Sequence, residues 1–96
     1  MTEAQQNKYL EAMTSALEYE NGIKIKFPSY DDARRFQRMC YMLRSRLRAK
    51  RAKGLPIEQV YKASTEYDVL SFAIIPESNE YFLHISKPPK MEFIPI

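Results

Sequence analysis

Two side chains in this sequence are of the types that usually act as nucleophile, base or soft metal ligand: Cys40 and His84. Cys40 falls on an apolar helical stripe, where a thiol behaves as a small buried hydrophobic group. His84 falls on a predicted strand, on the face opposite Leu83, and is expected to be partly exposed. We therefore predict that the protein is not an enzyme.

The usual patterns of metal and phosphate chemistry are also missing from the sequence. No two ligands have the spacing of a zinc site, and a chain with only two glycines offers no glycine-rich phosphate loop. Two acidic pairs occur, Asp31 with Asp32 and Glu66 with Asp68. Helix capping accounts for the first pair and solvation in a loop for the second. We predict no metal and no cofactor.

Basic residues are concentrated in one stretch. Nine of the twenty residues in 34–53 are Arg or Lys and none is acidic, whereas the rest of the chain holds six lysines against twelve acids. All seven arginines lie in this stretch, and arginine suits bidentate contact with phosphate or carboxylate. With one tyrosine, these bases are the candidate binding residues: Arg34, Arg35, Arg38, Tyr41, Arg44, Arg46, Arg48, Lys50, Arg51 and Lys53.

Local signals place this stretch on one long helix, from Ser29 to Gly54. The Ser29 hydroxyl can cap the first turn, where two aspartates favour the positive end of the helix dipole. Gly54 can adopt the left-handed conformation that ends a helix, and Pro56 prevents its resumption nearby. The basic residues crowd the C-terminal half, where the dipole favours cations.

The helical period separates an apolar stripe from the basic residues. The stripe, with Met39 at its edge, consists of Ala33, Phe36, Cys40, Leu43 and Leu47. The opposite side is predicted to carry Arg34, Arg38, Tyr41, Ser45 and Arg48, with Arg35, Arg46 and Lys53 on one flank and Arg44 on the other. On that outward side Tyr41 could stack on a base or a sugar. Lys50 and Arg51 fall near the apolar stripe, so the last turn or two should project beyond the body.

The remaining segments predict a sheet and a second helix. Residues 2–20 form an N-terminal helix, either packed on the sheet or acting as a mobile arm that docks on a partner or a second copy. Alternation predicts a strand over 23–27, and strands over 67–75 and 81–85 form an antiparallel hairpin around a polar turn. Residues 55–63 contain a short turn or a short strand.

The predicted fold is a single α+β domain over residues 1–96. It has a small, three-stranded, mostly antiparallel sheet, with the long basic central helix packed on it and the N-terminal helix beside it. The tail, 86–96, is predicted to be extended because Pro88-Pro89 lacks ladder donors. Its apolar residues either pack back as an edge segment or dock on a neighbouring chain or a target: Met91, Phe93, Ile94 and Ile96.

The composition indicates the cellular compartment of the protein. No apolar run approaches the roughly 20 residues that span a bilayer, and the N-terminal residues lack the pattern of a signal peptide. The single cysteine excludes an internal disulfide. We expect a cytoplasmic protein without a membrane partner.

Three hypotheses for function follow from the basic helix. The leading one is nucleic-acid binding, in which the helix contacts phosphates of DNA or RNA. The alternative is a protein-binding inhibitor or adaptor that docks this helix on an acidic site of a larger protein machine. The third is a homodimer that exchanges the tail or the N-terminal helix.

A short strand, then FPSYDDARRFQRMCYMLRSRLR, then a hairpin in a chain below 100 residues resembles small accessory or early proteins of tailed bacteriophages. The resemblance covers residues 23–75. It implies action in the host cytoplasm, on nucleic acid or on host transcription, replication or defence machinery. It implies no catalytic residues.

Overall fold

The computed structural model describes residues 2–88 and 93–96, apart from the side chain of Tyr61. Two α-helices and a three-stranded antiparallel sheet confirm the predicted α+β class. In chain order the elements are α1 Glu3–Glu18, β1 Ile23–Phe27, α2 Tyr30–Ala52, a first 3-10 helix Ile57–Lys62, a second 3-10 helix Glu66–Val69, β2 Ser71–Glu77 and β3 Glu80–Ser86.

The last strand in the sequence, β3, lies at the centre of the sheet. It pairs antiparallel with both β1 and β2, which places Leu83 between Ile25 and Ile74. Because side chains alternate along a strand, one face of the sheet presents this apolar row to the helices, and Leu83 is fully buried. The predicted hairpin is confirmed. Its turn residues, Ser78 and Asn79, have φ angles of 52° and 65°, as a two-residue hairpin turn requires.

The prediction that β2 starts at Tyr67 is wrong. The strand starts at Ser71, after the second 3-10 helix. Two side-chain hydrogen bonds cause the difference: the N–H of Tyr67 donates to the Thr65 hydroxyl at 3.2 Å, and the N–H of Thr65 donates to Asp68 at 3.0 Å. Such local bonds compete with strand pairing, and here they outweigh the β-propensity of Tyr67. Residues 57–62 likewise form a 3-10 helix, so the turn alternative holds there and not the strand.

Helix α1 is packed against the rest of the protein and does not extend as an arm. It begins with a capping box, in which Thr2 and Gln5 exchange hydrogen bonds of 2.9 and 3.2 Å. Its residues Tyr9 and Met13 are buried in the core shared by both helices and the sheet. The chain leaves α1 through Gly22, whose φ is +77°.

Helix α2 confirms its predicted caps. The Ser29 hydroxyl accepts from the N–H of Asp32 at 3.2 Å, and Gly54 has φ +85° after the helix ends. The residues predicted for the apolar stripe are buried or half-buried. Gln37 is buried as well, which the stripe did not predict. Its amide nitrogen lies 3.3 Å from the Tyr41 hydroxyl and 3.4 Å from the carbonyl oxygen of Phe72, so it is satisfied.

The C-terminal tail was expected to pack back as an edge segment or to dock elsewhere. In the described part of the tail, Phe93, Ile94 and Ile96 are exposed, so the edge segment does not form there. Met91 lies outside the described residues. Among the helices described, none is long and apolar enough to cross a membrane.

Candidate nucleic-acid interface

The cations of α2 fall into two groups on opposite sides of the helix. Three arginines, here called the anchoring arginines, bind the segment 64–70 that precedes β2: Arg44, Arg48 and Arg51. Five cations, here called the open stripe, lie within about 60° of one direction at 3.6 residues per turn: Arg35, Arg38, Arg46, Lys50 and, as the C-cap of the helix, Lys53. The anchoring arginines point about 160–220° away from that direction.

Arg44 serves the fold. Its side chain is only 18% exposed, and its guanidinium donates hydrogen bonds of 3.2 Å to the carbonyl oxygens of Tyr67 and Leu70. It also lies 5.6 Å from the ring centroid of Phe72. These carbonyls belong to the end of the second 3-10 helix, where the backbone has few partners of its own. Arg44 therefore fastens α2 to this segment and is unavailable to a ligand.

Arg48 and Arg51 extend the same attachment. Arg48 donates to the carboxylate of Asp68 at 2.9 Å, and this bond, helped by bonds from Thr65, lowers the pKa of Asp68 to about 2 against the opposing effect of burial. Arg51 donates to the carbonyl oxygen of Ser64 at 3.0 Å and forms a 2.9 Å ion pair with Glu66. The prediction that the last turn projects away is wrong for Arg51, because its side chain returns to the body.

Tyr41 does not lie on the outward side between Arg38 and Arg48. Its ring packs edge-on against Phe72 of β2, with centroids 5.0 Å apart, and its hydroxyl faces Gln37. The cause is the width of the buried face, which continues from the apolar stripe around the helix as far as Tyr41. Stacking of a ligand on this ring is not supported by its position.

Arg34 is half-buried and makes a local contact. Its guanidinium donates to the side-chain oxygen of Gln37 at 2.6 Å. Since Gln37 also faces the carbonyl of Phe72, Arg34 helps to orient a buried amide next to the sheet. It lies between the two groups of cations and belongs to neither.

The open stripe is exposed along its whole length. None of its five side chains forms a hydrogen bond or an ion pair with another residue in the described part of the chain. From Arg35 to Lys53 the stripe runs for about 27 Å at 1.5 Å per residue. No acid follows Asp32 in α2. Beyond its first turn, which carries Asp31 and Asp32, the helix therefore has no acid to offset the positive potential of this face.

A groove interrupts the open stripe between Arg35 and Arg46. Met39 and Met42 lie there, half-buried, and face the N-terminal part of α1. The groove has a volume of about 280 Å³ and is lined by Gln5, Lys8, Tyr9, Met39, Met42 and Arg46. The ammonium of Lys8 lies 5.1 Å from the centroid of the Tyr9 ring. The sequence does not predict this groove, because the pattern of one helix does not show which residues of the other helix it contacts.

No family model, curated protein or solved structure matches this chain. The resemblance to small accessory proteins of tailed bacteriophages therefore stays a prediction. The candidate site is defined by its own geometry and charge.

The two residues considered for catalysis, Cys40 and His84, lie on opposite faces of the sheet. Cys40 is fully buried on the helix side of the sheet, and burial raises its pKa to about 12 although Arg44 acts in the opposite direction. His84 is on the other face of β3, opposite Leu83, as predicted. Its Nε2 atom is buried without a hydrogen-bond partner among the described residues. No three His, Cys, Asp or Glu side chains cluster as metal ligands in that same part of the chain.

Proposed function

We propose that this protein binds nucleic acid through the open stripe of α2. One observation carries the proposal: five exposed cations share one helix face and have no partner among the described residues. Other cations of the same helix are used to hold the fold, so an unpaired set on one face is not a general property of α2. A row of this length can lie along a phosphate backbone, which is the main source of sequence-independent affinity.

The proposal narrows the site predicted from sequence. Half of the ten candidates remain as phosphate contacts, and Lys8 joins them from α1. Arg44 and Tyr41 become part of the packing, whereas Arg48 and Arg51 have their charges matched by acids. Base readout is not proposed, since contacts with phosphates carry no sequence information.

The salt dependence of binding tests this proposal. If the five cations of the open stripe and Lys8 each neutralise one phosphate, log affinity should fall against log salt with a slope of about −5.4 for duplex DNA and about −4.2 for a single strand. Fluorescence anisotropy with labelled random-sequence oligonucleotides measures both. Failure of the wild-type protein to bind either probe at about 50 mM salt would sink the proposal.

Two double variants of equal charge provide the control. Arg38→Gln with Lys50→Gln removes two cations of the open stripe and should reduce the magnitude of the duplex slope by about 1.8. Lys24→Gln with Lys26→Gln removes two cations from β1, where each lies near an acid, Glu77 or Glu80. The β1 variant should leave the slope unchanged. Equal effects would mean that net charge, not the stripe, determines binding.

The second candidate is a protein-binding inhibitor or adaptor that docks α2 on an acidic surface. Exposed apolar side chains favour it: Ile57 is 91% exposed shortly after the basic helix, and Phe93 is 88% exposed in the tail. Such residues could anchor a protein interface. Affinity capture from nuclease-treated lysate separates the candidates. Partners that disappear with nuclease favour nucleic acid, and one stoichiometric protein favours the adaptor.

A further inference from the structure

The helix face that carries the open stripe is apolar between Arg38 and Arg46. Met39 and Met42 occupy the same helix face as the cations, between Arg35 and Arg46. A duplex offers its outer surface chiefly as phosphate and sugar, for which methionine has no complementary group. A single strand also exposes base faces, and proteins that bind single strands combine cations with aromatic side chains on which those faces stack. Here methionines lie where such side chains would.

The groove at this point has the composition that such a base requires. Met39, Met42 and Tyr9, which is itself 8% exposed, supply its apolar lining, beside the polar side chains of the other three lining residues. Thioethers are polarisable and make favourable contacts with aromatic rings. Lys8 from α1 and Arg46 from α2 supply positive charge from the two helices. The described residues that line the groove include no acid, so the charge of the groove is complementary to an anionic strand.

Gln5 adds a side-chain amide that can act only as a hydrogen-bond donor. Its side-chain oxygen accepts the N–H of Thr2 at 2.9 Å in the capping box of α1. The amide nitrogen has two hydrogens and no hydrogen-bond partner among the described residues, so Gln5 keeps a donor where it lines the groove. Every nucleobase has acceptor atoms on its edges, so a donor of this kind permits binding without selecting one base.

We propose that the groove between α1 and α2 holds one unstacked base of a single-stranded nucleic acid, with the adjoining phosphates at Lys8 and Arg46. The inference rests on the proposed function and specifies its ligand: single strand in preference to duplex. Met39 and Met42 contact the base, and the open stripe follows the backbone on both sides of it.

Two single strands of equal charge and a duplex test the inference on the wild-type protein. A labelled oligothymidine strand of about 12 nucleotides, within the usual site sizes for single strands, is compared by anisotropy with an abasic strand of the same length and with a duplex. The base-bearing strand should bind about 3- to 100-fold more tightly than the abasic strand, the range expected for two methionine contacts with an aromatic ring. It should also bind more tightly than the duplex. Equal affinity for the base-bearing and abasic strands, or tighter binding of the duplex, overturns the inference.

A variant locates the base contact. Met39→Ser with Met42→Ser should remove the preference for bases over abasic strands and leave the salt slope unchanged, because no cation is altered. Ile75→Ser, on an exposed position of β2, is the control and should keep the preference. Retention of the preference by the methionine variant would contradict the assignment. The wild-type comparison does not depend on whether this variant folds.

Failure of this inference is distinguishable from failure of the proposed function. If all three probes bind with equal affinity and a steep salt slope, the open stripe binds phosphates and the groove holds no base. If none binds at low salt, the proposed function itself is wrong, and the groove is open to the protein-binding alternative.

Discussion

The guanidinium of Arg48 donates a 2.9 Å hydrogen bond to the carboxylate of Asp68, twenty residues further along the chain. The same carboxylate accepts from the N–H and the hydroxyl of Thr65, each at 3.0 Å. Arg44, one helical turn before Arg48, donates to the carbonyl oxygens of Tyr67 and Leu70. One side of the basic helix is thus a clamp over residues 64–70, and only the opposite side is open to ligands.

Arg44→Ala should lower the free energy of unfolding by about 2–3 kcal/mol, since hydrogen bonds from charged groups contribute about 1.5–3 kcal/mol each and are not fully additive. The variant leaves the carbonyls of Tyr67 and Leu70 without this donor and removes the packing of Arg44 on Phe72. Urea denaturation followed by circular dichroism measures the change.

Arg38→Ala is the matched control for that experiment. Arg38 is exposed and unpaired within the described part of the chain, so its removal should change stability by less than about 0.5 kcal/mol. Equal losses for the two variants would show that the division between anchoring and open cations is wrong.

Acid should weaken the clamp through Asp68. The pKa of this carboxyl is about 2 in the folded protein, below its ordinary value of 3.8, so the folded state favours the ionised form. Its contribution is fully present above about pH 4 and is mostly lost as the pH falls to about 2. Allowing for solvent screening, we expect Asp68 to contribute about 1–2 kcal/mol to the free energy of unfolding at neutral pH.

Asp68→Asn isolates most of this contribution, because the carboxyl groups other than the neighbouring Glu66, whose pKa the charge of Asp68 raises, titrate alike in both proteins. The stability difference between wild type and variant should be largest near pH 7 and should shrink towards pH 2, as measured by urea denaturation at each pH. A difference independent of pH would mean that Asp68 acts through its shape and not its charge.

Cys40 should be unreactive in the folded protein. The thiol is fully buried, and its pKa of about 12 leaves almost no thiolate at pH 8. A thiol reagent should therefore label the protein only as it unfolds, with a rate that rises with urea in step with the unfolding transition. Rapid stoichiometric labelling in native buffer would contradict the packing of α2 against the sheet.

The helix ends and the strand faces were predictable because their causes are local. The Ser29 cap, the left-handed Gly54 and the alternation in residues 23–27 each depend on a few neighbouring residues. The start of β2 was not predicted, since two side chains, Thr65 and Asp68, compete there with strand propensity. The competing bonds are local too, but their strength relative to β-propensity depends on the arginines that approach from α2.

The candidate site was predictable only as a set of residues. Spacing identified the basic helix and its apolar stripe, but the roles of Arg48 and Arg51 depend on acids more than ten positions away. A helical wheel shows only the residues of one helix and so cannot show such partners. It also placed Tyr41 outward, because the width of the buried face is decided by what packs on the helix. The groove lined by Lys8 could not be predicted either, because it exists only where α1 packs against α2.

The two glycines should respond differently to alanine. A Cβ at Gly22 would meet the carbonyl oxygen of Ile85 and lie 2.7 Å from the Cα of Ser86, and φ is +77°. Gly54 has a similar φ of +85° but nothing within 4 Å. We expect a loss of about 1 kcal/mol for Gly54→Ala from backbone strain and a loss at least about 2 kcal/mol larger for Gly22→Ala from the added clash. Equal melting temperatures in the two variants would contradict the close approach of residue 22 to β3.

Arg38 and Arg48 offer the sharpest separation of binding from folding. Each is an exposed arginine of α2, and each alanine substitution removes one positive charge. Arg38→Ala should reduce the magnitude of the duplex salt slope by about 0.9, because one phosphate contact is lost, while the denaturation midpoint stays unchanged. Arg48→Ala should leave the slope unchanged and lower the midpoint, because its charge is already matched by Asp68. If both variants reduced the slope equally, the ion pair with Asp68 would have to open on binding, and the whole basic helix, not one face of it, would contact the nucleic acid.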